Sequence, residues 1–418
     1  MRRLIQTTFR SLRVRNFRLF FIGQFISSIG LWMQQVAELW LILQLTDSAA
    51  AVGLITVTHF GPILLLGLWG GVIADRLDKR KIMLVTQPLL GLIAVGLAIF
   101  SATGGVNAGL LYGFSAMTGL ALALDNPTRR AFVREMVDLD DVSNAVSLVS
   151  MLITSARIIG PALSGILLVS SSATVVFAIN GISYLAVLVA LLMMRTSELF
   201  RVPPIIKSKG QSAEGLRYAW ENPAVRLPLL MMAWIGTLAF NFSVLLVLFA
   251  EQTFGAGSDG FGMLISLSAI GSLVGALILA TRQVITHRLL VLVAFGFGVA
   301  TLVASTASSL ITMGLLLIPV GAFGVAFLAG TQGAAQSAAA QHMQGRVMAL
   351  FAVVFLGSTP IGGMFAGLQA EVMGSRMAFA TGGVVSVLTA LWAWRVTKAG
   401  VHRTPGREPA EQLSGCEE

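Results

Sequence analysis

Long apolar stretches separated by short charged ones dominate the chain. A helix that spans a membrane needs about 20 consecutive, mostly apolar residues, and twelve stretches meet that requirement. They are 17–45, 50–74, 82–103, 106–128, 142–170, 173–194, 226–252, 259–281, 288–308, 310–334, 346–370 and 376–395. The pattern therefore predicts an all-α polytopic membrane protein with twelve transmembrane helices.

One polar interruption is longer than the others and divides the spans into two sets of six. We predict an N-terminal six-helix bundle over 1–195, a cytoplasmic linker loop over 196–224 and a C-terminal six-helix bundle over 225–396. The tail over 397–418 contains Pro, Gly and Glu. Because such a composition does not build a packed core, we expect a disordered cytoplasmic tail.

The two halves of the chain also align with each other. A constant shift lays Gly119 on Gly321, Gly165 on Gly367 and Gly181 on Gly383. Many secondary transporters are built from repeats of this kind, and small residues allow close helix approach in lipid. The alignment therefore predicts two pseudo-symmetric halves that meet at an interface.

Composition agrees with a membrane protein, and charge indicates its orientation. Of the 418 residues, 56% are hydrophobic and 11% charged, whereas soluble domains carry about 25% charged residues. A net charge of +9 would suggest nucleic acid for a soluble protein, but here the bases lie between the spans, and one predicted side keeps only Arg376. The positive-inside rule places both termini and the linker in the cytoplasm, with no nucleic-acid partner. Cys416, the single cysteine, excludes an internal disulfide.

Ionisable side chains inside spans are costly and are candidates for function. Glu38 in the first span and His59 in the second lie at similar depth on consecutive antiparallel helices, so they can face each other. A buried glutamate beside a histidine is a candidate proton-carrying pair. In the alternative interpretation, Glu38 reaches the outer water and His59 is a hydrogen-bonded packing residue.

Arg157 lies in the middle of the fifth span and does not lose its proton. It therefore needs an acidic or polar partner or a water-filled cavity, and Asp125 in the fourth span is the candidate partner within the same half. Whether Arg157 contacts an anionic substrate or only organises the helices stays open. Glu38, His59, Asp125 and Arg157 are together the candidates for proton coupling.

Polar and aromatic residues within spans are candidates to line a substrate cavity. They are Trp32, Gln35, Asn180, Phe240, Asn241 and Gln332. Hydrogen bonding between helices is the alternative role for the amides among them. The sequence has no nucleotide-binding loop, no metal-ligand spacing and no nucleophile elbow. We therefore expect no enzyme activity, no cofactor and no metal, and an ion or substrate gradient as the energy source.

Two motifs carry a resemblance to a known family. "GVIADRLDKR", Gly71 to Arg80, resembles the signature between the second and third helices of the major facilitator superfamily, with Asp78 where the family prefers Gly. "ARIIGPALSG", Ala156 to Gly165, resembles the fifth-helix motif of its proton-coupled drug exporters. Arg157, Gly160, Pro161 and Gly165 lie in it. "LDNPTRRAFVREMV" and "GRVMAL" are similar to the branch that includes enterobactin exporters and macrolide efflux proteins.

The resemblance implies a major facilitator fold and a secondary active transporter in the cytoplasmic (inner) membrane of a bacterium. It would export an amphiphilic small molecule, drug-, macrolide- or siderophore-like, by alternating access in exchange for protons. The expected partners are the substrate, protons and the lipid bilayer, with the protein acting as a monomer. Two alternatives remain, an ion-coupled uptake transporter of the same fold and a transport-inactive membrane sensor or scaffold.

The first motif also implies a conformational latch. Its residues are Gly71, Asp75, Arg76 and Arg80, together with Arg129 and Arg130 at the end of the fourth span. Asp75 would meet the helix N-terminus near Gly345–Val347, where unsatisfied N–H groups favour an acid. The contact crosses between the halves, so it would form when the cytoplasmic side is closed. For Asp78, a second bond and solvation of the turn stay as alternatives.

Overall fold

The computed structural model describes residues 9–200, 211–280, 286–341 and 343–401, and within them the regular elements are helices. The helices are α1 (Arg15–Thr46), α2 (Ala49–Arg76), α3 (Lys79–Ala102), α4 (Ala108–Met136), α5 (Val142–Ser170), α6 (Ala173–Met193), α7 (Gln211–Glu221), α8 (Pro223–Leu238), α9 (Phe242–Leu248), α10 (Gly257–Ala280), α11 (His287–Ser305), α12 (Leu310–Ala338), α13 (Gln344–Met373) and α14 (Ser375–Val401). Twelve segments are long and apolar enough to cross a membrane, with α8 and α9 sharing the seventh. The twelve predicted spans are confirmed.

Side-chain caps mark where helices begin. The Ser48 hydroxyl accepts a hydrogen bond from the Ala51 N–H (3.2 Å) at the start of α2. A carboxylate oxygen of Asp78 accepts one from the Lys81 N–H (3.1 Å) at the start of α3. A cap of this kind stabilises a helix by about 1 kcal/mol. Asp78 therefore allows α3 to begin after only two intervening residues, Leu77 and Asp78, and its carboxylate serves as a helix cap.

The fourth span is longer than predicted. Its apolar run ends near residue 128, but α4 continues to Met136. Arg129 is buried rather than solvated, because it pairs with Asp125 one turn earlier on the same helix. The charged residues interrupt the apolar run, so a prediction based on apolar residues ends the helix too early. The predicted end was therefore wrong by about two turns.

The seventh span is interrupted. Between α8 and α9 the chain leaves helical geometry at Ala239–Asn241, and the Asn241 amide donates to the carbonyl of Thr237 (2.8 Å). After α9 a π-helical turn covers Phe249–Thr253. Breaks of this kind within a membrane need internal partners for the released backbone groups, and Asn241 supplies one.

Part of the predicted linker is helical. α7 lies against the start of α13 and the segment that precedes it. Glu214 pairs with Arg346 of α13 (2.6 Å), and the Tyr218 hydroxyl accepts from the Ala340 N–H of that segment (3.0 Å). Residues 201–210 lie outside the described residues. At the other end α14 runs to Val401, so the first five residues of the predicted disordered tail are helical, and 402–418 lie outside the described residues.

Helix contacts repeat between the two halves at the glycines that the sequence alignment superposes. The close pairs are Gly119 with His59 and Gly321 with Ser268, then Gly181 with Gly91 and Gly383 with Gly298. The first two join α4 to α2 and α12 to α10, and the others join α6 to α3 and α14 to α11. Glycine permits this approach because a side chain there would collide with the partner backbone.

The halves meet along a seam formed by two equivalent helix pairs, α2 with α13 and α5 with α10. A Cβ atom placed on Gly53 would lie 2.7 Å from the Gly363 carbonyl oxygen, and one on Gly165 would lie 2.7 Å from the Gly262 Cα. Both contacts lie toward the predicted outer side. A Cβ on Gly67 or Gly345, near the predicted cytoplasmic ends of α2 and α13, would meet no atom of the described residues within 4 Å. The seam is thus tight toward one side and open beside these two residues at the other.

Candidate functional site

A buried polar network surrounds Glu38. The Gln34 amide donates to the Glu38 carboxylate (2.7 Å), and the Asn180 amide donates to the Gln34 carbonyl oxygen (2.6 Å). Ser183 Oγ extends the network to Asn180 Oδ1 (3.2 Å). The Glu38 side chain is only 1% exposed. The alternative in which Glu38 reaches the outer water is therefore wrong, and a carboxylate is held away from solvent by neutral amides.

The structure brings His59 to this network from α2. His59 Nδ1 lies 3.9 Å from a Glu38 carboxylate oxygen, beyond ordinary hydrogen-bond distance, and has no hydrogen-bond partner among the described residues. A buried polar atom without a partner is uncommon and needs an explanation. Glu38 is the acidic group beside it. Depth counting on the two antiparallel helices predicted this proximity.

A second buried cluster lies around Asp125, nearer the predicted cytoplasmic side. Thr86 Oγ1 (2.6 Å) and the Gln87 amide (2.8 Å) donate to one carboxylate oxygen, and Arg129 donates to the other (2.5 Å). The cluster joins α3 to α4. It neutralises Asp125 locally, so the predicted pairing of Asp125 with Arg157 is wrong.

Arg157 lies instead between two aromatic rings. Its guanidinium carbon is 5.2 Å from the Trp32 ring centre on α1 and 4.7 Å from the Phe355 ring centre on α13. Phe355 belongs to the second half of the chain, so the pair of rings spans the seam. No acidic side chain of the described residues forms an ion pair with Arg157.

The fifth-helix motif packs α5 against its neighbours. A Cβ on Gly160 would lie 2.5 Å from the Trp32 Cβ and 2.8 Å from the Ile29 carbonyl oxygen, so Gly160 admits α1. Gly165 admits α10 at Gly262. Pro161 lies inside α5, which remains continuous from Val142 to Ser170. The motif therefore places Arg157 just below a tightly closed stretch of helix contacts.

The predicted latch residues are distributed over the end of the first half. A Cβ atom placed on Gly71 would lie 4.0 Å from the Pro127 side chain. Asp75 is half-buried at the end of α2. Arg80 donates to the Leu191 carbonyl oxygen (3.0 Å), Arg76 and Arg130 are exposed, and Arg129 binds Asp125. The latch across to Gly345–Val347 stays a prediction.

The substrate-cavity candidates differ in what they contact. Asn180 and Asn241 are buried and bond within the protein, to Gln34 and to Thr237. Phe240 packs in an aromatic group with Phe242, Phe297 and Phe327. Trp32, Gln35 and Gln332 are half-buried, and of these Trp32 contacts Arg157.

Several site residues escaped the sequence interpretation. Gln34 precedes Glu38 by one turn, a spacing that places both on one helix face and that was available as a signal. Thr86 and Gln87 gave no such signal, because their contact with Asp125 joins two helices. Phe355 was hidden for the same reason, since no pattern within one span shows which residue of the other half it meets.

Comparison with known proteins identifies the family of the chain. The family model described as transmembrane secretion effector matches residues 6–405. The staphyloferrin A transporter of Staphylococcus aureus is 23% identical over 378 residues, covering 88% of this chain and 93% of the relative. The enterobactin exporter EntS of Salmonella choleraesuis is 27% identical over 319 residues, covering 75% of this chain and 73% of the relative. The multidrug efflux pump Tap of Mycobacterium bovis is 24% identical over 375 residues, covering 86% and 88%.

Solved structures show the same fold. An inward-facing, unoccupied bacterial homolog to the human lysosomal transporter Spinster superposes with a TM-score of 0.74 at 15% identity, covering 94% of this chain and 98% of that one. The nucleoside transporter NupG superposes with a TM-score of 0.67 at 12% identity, covering 92% and 99%. With a family model that spans nearly the whole chain, this multi-pass membrane protein belongs to the transmembrane secretion effector family of major facilitator transporters, which move small molecules.

Proposed function

We propose that the protein exports an amphiphilic small molecule from the cytoplasm by alternating access, in exchange for protons. The observation that carries this proposal is the asymmetric seam. α2 meets α13 and α5 meets α10 toward the predicted outer side, while open space lies beside Gly67 and Gly345 at the predicted cytoplasmic ends. A substrate would enter such a state from the cytoplasm. The names of the relatives, two exporters or efflux pumps among them, support the direction.

The orientation belongs to the proposal. Both termini and the linker lie in the cytoplasm on the positive-inside rule. The substrate class, drug- or siderophore-like, is supported by the relatives' names alone.

Proton coupling would act through Glu38 and His59. His59 lies on α2, one turn after Thr56, and a Cβ on Gly363 of α13 would fall on the Thr56 side chain. The titratable pair is therefore adjacent to a seam contact. Burial disfavours a charged carboxylate, so gain or loss of a proton at this pair changes the cost of holding α1 and α2 in their present packing. A ligand or proton shifts such an equilibrium by its differential affinity for the two states.

Everted vesicles test the proposal. With the cytoplasmic face outward, a fluorescent amphiphilic dye should accumulate inside when a proton gradient is imposed, and a pH-sensitive dye should report proton release. Glu38→Gln keeps the hydrogen bond from Gln34 and removes the titration, so proton movement should fall to background at normal expression. Glu198→Gln is the matched control, because Glu198 is paired with Arg195 (2.9 Å) at an exposed position away from Glu38.

The contrary outcomes are distinct. Dye movement that ignores the proton gradient would rule out antiport. A rise of dye in intact cells on overexpression would indicate uptake rather than export. Unchanged coupling in Glu38→Gln would exclude Glu38 as the proton carrier.

A further inference from the structure

The positive charge of Arg157 has no counter-ion among the described residues. Its guanidinium contacts the Trp32 and Phe355 rings, and none of its N–H groups donates to another described residue. Cation–π contacts stabilise a guanidinium group but do not neutralise its charge. The side chain is half-buried, so it is partly removed from water without a counter-ion, which is unfavourable for a charge. The two rings alone therefore leave the charge under-compensated.

The acids on neighbouring helices are engaged or distant. Glu38 on α1 is bound by Gln34, and Asp125 on α4 is bound by Arg129. Glu135 on α4 pairs with Lys79 (3.0 Å). Asp259 lies in the first turn of α10, and Glu371 lies near the end of α13, both toward the predicted outer side. No carboxylate among the described residues of these helices is placed to neutralise Arg157.

A polar face of α5 leads to Arg157 from the predicted cytoplasmic side. Ser147, Ser150 and Thr154 are exposed and follow the three- and four-residue spacing that places them on one helix face with Arg157. Each hydroxyl donates to a backbone carbonyl one turn earlier, at 2.8, 2.9 and 2.9 Å. The face is therefore polar and compatible with water, and its three hydroxyls bond to the backbone of α5 rather than to other side chains.

The path ends at Arg157. One turn beyond Arg157, the Trp32 Cβ and the α1 backbone occupy the space beside Gly160. Further along, Gly262 of α10 packs against Gly165. A molecule that follows the polar face inward therefore meets a cation flanked by two rings at the end of the opening.

We propose that Arg157 binds the anionic group of the transported molecule, a carboxylate or a similar planar anion, while Trp32 and Phe355 hold the flat apolar part next to it. The guanidinium offers paired donors that match a carboxylate, and the rings offer apolar faces. Trp32 comes from the first half and Phe355 from the second, so such a ligand contacts both halves at once. The inference names the substrate class and rests on the proposed transport function, but its test measures binding.

The test compares two nearly isosteric probes, 2-naphthoate and its neutral amide, 2-naphthamide. Equilibrium dialysis against the detergent-purified full chain should give a dissociation constant about tenfold lower for the carboxylate, as one charge-assisted pair provides. Arg157→Gln should bring the two constants to within about twofold of each other. Arg157→Lys should keep part of the preference, since it retains the charge without the paired donors.

Arg376→Gln is the matched control, because Arg376 also lies over a ring, 5.8 Å from the Phe254 centre, but at the predicted outer end. It should leave the preference unchanged. Equal binding of both probes by the wild type would overturn the proposal, even if Arg157→Gln does not fold. Retention of the preference in a folded Arg157→Gln would overturn it as well. If the wild type prefers the carboxylate probe but shows no proton-driven export, the anion site at Arg157 is supported and the proposed proton coupling is contradicted.

Discussion

Glu371 of α13 caps the first turn of α2, a helix of the other half. Its carboxylate accepts hydrogen bonds from Ser48 Oγ (3.2 Å) and from the Ala50 N–H (3.1 Å). An acid is stabilised at a helix N-terminus by the unsatisfied N–H groups there. The contact lies at the predicted outer end, so it holds the halves together on the side where the seam is tight.

The predicted Asp75 latch is the counterpart of this contact on the same two helices. Glu371 near the end of α13 meets the start of α2, and Asp75 at the end of α2 is predicted to meet the start of α13 near Gly345–Val347. The two contacts would lie on opposite sides of the membrane and would form in opposite states of the transporter. Alternating access would then exchange one inter-half cap for the other.

Removing the Glu371 cap should loosen the outer side. In Glu371→Ala the loss is about 1 kcal/mol, which is roughly a fivefold change in the ratio of closed to open states. Spin labels at Ser171 and Ser308, exposed on the two halves, in a Cys416→Ser background, should show a larger long-distance population by double electron–electron resonance.

Glu198→Ala serves as the control, since its partner Arg195 is on the same half and exposed. An unchanged distance distribution in Glu371→Ala would show that the cap does not contribute to closure.

Asp75→Asn should act on the opposite side. If Asp75 caps α13 in the closed state, losing its charge weakens that state by about 0.3–1 kcal/mol, so the inward-open state gains population and transport slows. Labels at Leu139 and Gln341, both exposed at the predicted cytoplasmic side, would report the shift.

Asp78→Asn is the matched control for Asp75→Asn, because Asp78 lies three residues further along, in the turn that follows α2. Asp78 caps α3 through Lys81, and asparagine caps a helix as well as aspartate, so its label distances and transport rate should stay at the wild-type values. Equal effects of both variants would point to general loop charge rather than a latch.

The buried Asp125–Arg129 pair should matter for stability more than any exposed pair. Asp125→Ala leaves Arg129 buried without its counter-ion, and breaking a buried pair costs about 3–5 kcal/mol. Arg195→Ala, which removes an exposed pair, should cost no more than about 1 kcal/mol. Thermal unfolding of the detergent-purified variants measures both, and similar midpoints would contradict a structural role for the cluster.

The sequence predicted the spans well because the solvent decides them. Lipid requires about 20 apolar residues per crossing, and that requirement is visible in a linear pattern. The linear pattern failed at α4, because the helix continues past Arg129, whose charge is paired with Asp125. α7 was missed because an 11-residue helix docked through Glu214 and Tyr218 leaves no long apolar run.

The candidate site was predictable only along each helix. Depth counting brought Glu38 and His59 together, since depth follows from position in a span. The partner of Arg157 depends on how helices are rotated and on which helix of the other half lies opposite. The aromatic ring of Phe355, 198 positions further along the chain, could therefore not be chosen over Asp125 from sequence.

Closure of the seam should depend on the absence of side chains at its glycines. A Cβ on Gly165 would lie 2.7 Å from the Gly262 Cα, a contact with backbone that has no flexible end to move aside. Gly165→Val should therefore hold α5 and α10 apart, favour the outward-open state and reduce transport. Gly113→Val is the matched control, because Gly113 also lies inside a helix but a Cβ there would meet no atom within 4 Å in the part of the chain that the structure describes. The Ser171–Ser308 label pair should lengthen in Gly165→Val only. Lengthening in both variants would mean that valine disturbs the bundle in general, and lengthening in neither would mean that the α5–α10 contact yields to a side chain without opening.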